Sequence, residues 1–93
     1  RLMNARALQT ALDVLGADAA RLGVYARTPL RGVAPQVVLR RMPEDAAAAA
    51  QELFAALRAF DAAGVALIWI ETPPDTPAWE GVRDRLQRAA AAA

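Results

Sequence analysis

One stretch organises the pattern of apolar and polar positions: Val65-Ala66-Leu67-Ile68-Trp69-Ile70-Glu71, apolar until its last residue. A run this short, continuous and rich in β-branched and aromatic side chains reads as a central strand buried on both faces, the habit of parallel sheets. Earlier in the chain, Asn4 is a good helix N-cap. Leu8, Ala11, Leu12 and Leu15 then recur at helical spacing up to Gly16, a natural stop, which predicts a helix over 5–15. Leu2-Met3 reads as the tail of a first or edge strand. Arg21 to Arg27 has the character of a second strand, closed by Thr28-Pro29, and Gln36 to Arg41 that of a third, with loop from Leu30 to Pro35 between them.

Met42-Pro43-Glu44-Asp45 predicts a helix start, with proline in the first turn and two carboxylates facing the positive helix end. The helix is expected to run to Ala63, with Leu53, Phe54, Leu57 and Phe60 as its apolar stripe and Glu52, Arg58 and Asp61 off it. Ala46 to Ala50 adds helix propensity and allows close packing on a sheet. After the central strand, Thr76 can cap a last helix that has Pro77 at its first position. Trp79, Val82, Leu86 and Ala89 or Ala90 recur along it, Arg83, Arg85 and Arg88 suit its C-terminal half, and the final alanines are expected to fray.

The order is β-α-β-β-α-β-α. Its two helical crossovers are expected to be right-handed and to place strands parallel, in an α/β domain of three layers with a mostly parallel sheet of about four strands and helices on its faces. The segment Thr28 to Pro35 carries no helix. It fits either an antiparallel connection or a tight parallel crossover, so the direction of the strand Gln36 to Arg41 stays open.

Length and charge narrow the function. A chain of 93 residues makes one domain, 1–93, with no room for a second core. Eleven arginines and ten carboxylates leave a net charge of +1 with no basic block, which gives nucleic-acid binding no support. There is no Ser, Cys, His or Lys, so the usual nucleophiles, the commonest general base and the commonest metal ligand are missing, and an independent enzyme is not expected. No apolar run is long enough to span a membrane and no signal peptide is visible, so a cytoplasmic protein is expected. Because the chain opens on Arg1 rather than Met, it reads as a domain of something longer.

The chemistry left to place is sparse. The glycines, Gly16, Gly23, Gly32, Gly64 and Gly81, are too far apart for a phosphate-binding fingerprint. In an open α/β sheet the ligand crevice lies beyond the carboxyl ends of the strands, which makes Asn4, Arg27, Thr28, Arg41, Glu71 and Thr72 the candidate ligand or partner surface. No catalytic, cofactor-binding or metal-binding residue is assigned. Trp69 is expected in the core, Trp79 partly exposed, and Gly81, costly inside a helix, points to something passing close by.

Glu52-Leu53-Phe54-Ala55-Ala56-Leu57-Arg58-Ala59-Phe60-Asp61-Ala62-Ala63-Gly64, the strand ending in Glu71, and Trp79 to Ala90 together resemble a known family. It is the C-terminal domain of the long, two-domain form of L-threonylcarbamoyladenylate synthase, a YrdC-type tRNA-modification enzyme. The "LFxxLRxxDxxG" block from Leu53 to Gly64 and the "RLxRAA" block from Arg85 to Ala90 carry the likeness. Arg1-Leu2-Met3 and Leu22 to Arg27 resemble the family's first two strands. Two places depart from the family: Pro77-Ala78-Trp79-Glu80-Gly81 replaces a "GLG" entry to the last helix, and Asp84-Arg85 replaces an Asn-Arg pair.

The resemblance implies a Rossmann-like accessory domain beside an N-terminal catalytic domain that condenses threonine, bicarbonate and ATP into threonylcarbamoyl-AMP. That product modifies the adenosine next to the tRNA anticodon. The catalytic domain and a linker ending just before Arg1 are absent from these residues, which would need no cofactor of their own. The implied partner is that catalytic domain of the same chain, with no direct nucleic acid and no membrane, and a homo-oligomer is left open. A stand-alone α/β domain that binds a small ligand or regulates is the alternative.

Overall fold

Four strands, all parallel, lie in the order β1-β4-β2-β3: β1 is Leu2–Met3, β2 Leu22–Ala26, β3 Val38–Arg41 and β4 Leu67–Glu71. The computed structural model describes residues 1–15 and 21–92, with side chains as far as Ala90. The helix stop at Gly16 and the last alanine lie outside the described residues. Among the described residues three α-helices complete the fold, α1 (Ala5–Leu15), α2 (Ala46–Ala62) and α3 (Glu80–Ala92), the last entered through a 3₁₀ turn at Pro77–Trp79. The result is a small Rossmann-like α/β domain.

Side-chain alternation along the strands feeds two cores, one on each face of the sheet. Tyr25 of β2 and Ile70 of β4 point into the larger, where Leu53, Ala56 and Phe60 of α2 meet Val82 and Leu86 of α3. Leu22, Val24 and Ala26 point into the other, beneath Leu8 and Leu12 of α1. Gly23 belongs to the first face and lies under Phe60: a Cβ there would stand 2.5 Å from the ring, so the strand needs a glycine to let α2 approach.

The connection between β2 and β3 is a parallel crossover. Leu30, Val33, Ala34 and Val37 fold down onto the second core and do the work of a helix. Gln9 of α1 pins this loop, its Nε2 donating to the Arg31 carbonyl at 2.8 Å while its Oε1 accepts from the Arg31 amide at 2.9 Å.

Several local expectations change. The third strand begins at Val38 rather than Gln36. α2 begins after Asp45, whose carboxylate accepts from the Ala48 amide at 3.0 Å, so Pro43 precedes the helix instead of lying in its first turn. The buried stripe of α2 is Ala49, Leu53, Ala56 and Phe60, while Phe54 is 55% exposed, because alanines seat the helix close and rotate the phenylalanine outward. Pro77 opens the 3₁₀ turn and Thr76 makes no side-chain cap bond. Ala89 and Ala90 are exposed.

The central strand also differs. β4 does lie inside the sheet, but it starts at Leu67, which is 50% exposed, and Trp69 is only half-buried. Trp79 is buried at 6% exposure under the ends of the sheet, against the expectation for a loop-flanking aromatic. Nothing presses on Gly81, whose nearest neighbour to an added Cβ is the Arg85 side chain at 4.0 Å; the structure offers no reason for a glycine there.

Candidate functional site

The carboxyl ends of β2 and β4 stand side by side because Tyr25 pairs with Ile70 in the parallel register, which sets Glu71 beside the exit of β2. The Glu71 carboxylate is buried, at 5% exposure, and points across to the chain leaving β2. Its Oε1 accepts from the amides of Arg27 and Thr28, both at 2.8 Å. Its Oε2 accepts from Thr28 Oγ1 at 2.9 Å and from Arg27 Nη2 at 3.1 Å. The same Nη2 donates to the Thr72 carbonyl at 2.9 Å.

Arg27 is held on a second side by Trp79, with the guanidinium carbon 5.5 Å from the ring centroid. This contact supplies the electrostatic attraction of a cation over an aromatic face. It lies beside the buried Arg27 Nε, which has no hydrogen-bond partner among the described residues. The sequence pattern carried no signal for this use of Trp79; only the fold brings it under Arg27.

Four of the six candidate residues, Arg27, Thr28, Glu71 and Thr72, are therefore gathered at one point, where they bond to one another. Asn4 and Arg41 are employed elsewhere. Asn4 caps α1, its Oδ1 accepting from the Ala7 amide at 2.8 Å. Arg41 ends β3 in solvent, 3.8 Å from the exposed Glu44. The strand-end cluster is a clamp that ties β2 to β4: every oxygen of Glu71 already accepts two hydrogen bonds, which leaves the carboxylate little capacity for a ligand or a proton-transfer role.

One polar pair escaped the sequence pattern. Tyr25 Oη donates to Glu52 Oε1 at 2.9 Å between β2 and α2, and burial, that bond and the nearby carboxylate charge push the phenol pKa up. Among the described residues there is no cluster of three or more His, Cys, Asp or Glu side chains that could hold a metal ion, and no helix long and apolar enough to cross a membrane.

A family model described as "Threonylcarbamoyl-AMP synthase, C-terminal domain" matches residues 1–91. The chain belongs to this family. No curated protein and no solved structure matches it. As a threonylcarbamoyl-AMP synthase C-terminal domain it carries the family's likeness across both cores, from β1 through the arginines of α3.

Proposed function

We propose that this is a non-catalytic accessory domain of a threonylcarbamoyl-AMP synthase acting in tRNA threonylcarbamoyladenosine modification. On this reading it packs on the catalytic domain of the same protein and positions the linker between the two. ATP, threonine and bicarbonate are bound by the catalytic domain.

The observation that carries the reading is the match over residues 1–91 to a family named as the C-terminal part of the synthase. The strand-end chemistry supports it, since four of the six polar residues at the usual ligand crevice are committed to the Glu71 clamp. A chain without Ser, Cys, His or Lys also lacks the ordinary groups for nucleophilic attack or proton relay.

Pyrophosphate release with threonine, bicarbonate and ATP tests the proposal. The purified 93-residue domain is expected to give the no-protein rate, and the full synthase a rate well above it. Turnover by the domain alone that persists through purification would overturn the accessory role.

A further inference from the structure

The two faces of the sheet are covered unequally. α2 and α3 lie on one face, whereas among the described residues the other has only α1 and the β2–β3 loop. Neighbouring strands sit about 4.8 Å apart and a helix is about 10 Å wide, so one helix covers about two strands of the four. The Gln9–Arg31 bonds place the loop on the β3 side of α1, which leaves the β1 side open.

There an open groove of about 510 Å³ runs between α1 and the sheet margin. Met3 and the half-buried Trp69 face it from the strands, Ala7 and Ala11 line its helical wall, and Arg1 and Arg6 supply its charges. Leu67, on the same face of β4 as Trp69, is half-exposed. Parallel sheets are normally covered on both faces, and a partly exposed indole beside methionine and alanine is the apolar surface that a further element would cover. Ala7 and Ala11, one turn apart on α1, let a second helix come close to the first.

We propose that this groove seats an acidic amphipathic helix from the rest of the synthase, lying alongside α1 over Trp69. The proposal rests on the accessory-domain reading and names the surface through which that packing occurs. Charge selects the occupant: the lining holds two arginines and no carboxylate, so an incoming apolar ridge flanked by Asp or Glu is complementary. A second copy of this chain laid across the groove by a two-fold axis would bring the same two arginines to meet their equivalents.

Amide hydrogen exchange on the full-length synthase tests it, comparing the unmodified enzyme with the variants Arg6→Glu and Ala7→Glu. Both positions are exposed and lie in the first turn of α1, where a carboxylate favours the helix, so neither change should unfold the domain. Each variant is expected to speed exchange about tenfold in β4 and in one acidic helical segment outside residues 1–93, with α2 and α3 unchanged. Unaltered exchange outside the domain in both variants would overturn the proposal. Protection of this domain at a different surface would also overturn it while leaving the accessory reading standing, and no protection anywhere on the domain would remove both. Protection of the groove that rises with enzyme concentration would assign it to a second copy instead.

Discussion

Glu71 concentrates more of the fold's polar bonding than any other side chain described, with four donors converging on one buried carboxylate. Replacing it leaves Arg27, whose side chain is only 19% exposed, without its ionic partner, and strands two amides beside it. Glu71→Ala is therefore expected to destabilise the domain by about 3 kcal/mol, with partial access of Arg27 to water holding the loss near the low end for a broken buried pair. Chemical denaturation would measure it, and a loss under about 1 kcal/mol would mean that water replaces the carboxylate. The identity of the residue was plain in the sequence, since a carboxylate closing an apolar strand marks a strand end. Its role was not, because the donors lie more than forty residues away in the chain.

At the scale of elements, both tryptophans depart from the burial that the pattern assigned to them, Trp79 fully and Trp69 in part. Trp69 lies on an interior strand and packs against the second core, yet its face of the sheet borders an open groove, so it is only partly buried. Trp79 lies in a short 3₁₀ turn after a proline-rich loop, yet that turn folds under the strand ends and buries it against Arg27 and the α2–α3 core. Trp79→Ala is expected to cost about 3–5 kcal/mol and Trp69→Ala about 2 kcal/mol, because a cavity forms only where the surroundings are closed. Urea melts of the two variants give the order directly, and Trp69→Ala as the more damaging change would contradict this burial. The helices were more legible than their faces. The bounds of α1 follow from its cap and spacing, whereas the outward turn of Phe54 depends on Ala49 and Ala56 being the residues that α2 buries in the first core.

For the whole molecule, alkaline pH should weaken the fold through Tyr25, which joins the sheet to α2. The phenol pKa is raised by burial first, then by its hydrogen bond to Glu52 and that carboxylate's charge, with Arg40 opposing. A raised folded-state pKa means that the stabilising contribution is complete below the unfolded value of about 10 and is lost as pH rises beyond it, since only the unfolded chain then releases its proton. Stability is expected to fall by about 1 kcal/mol between about pH 9 and about pH 11, and Tyr25→Phe should abolish that part of the fall while costing about 1 kcal/mol at neutral pH. Melts across this range check it; an equal alkaline fall in the variant would place the titration elsewhere. Local pattern by itself determined the order of elements and the α/β class, because strand runs, helix caps and glycine stops act over a few residues and survive without knowledge of the fold; the family was legible only through its resemblance blocks from Leu53 to Gly64 and from Arg85 to Ala90. The direction of β3 was settled only when Leu30, Val33, Ala34 and Val37 found the second core and Gln9 found Arg31. The fate of the strand-end residues was likewise decided by register, since setting β2 against β4 turned a set of free polar groups into the clamp around Glu71. Burial and pairing of this kind are properties of surfaces that meet in space, and a single chain read in order contains the surfaces but not their meeting.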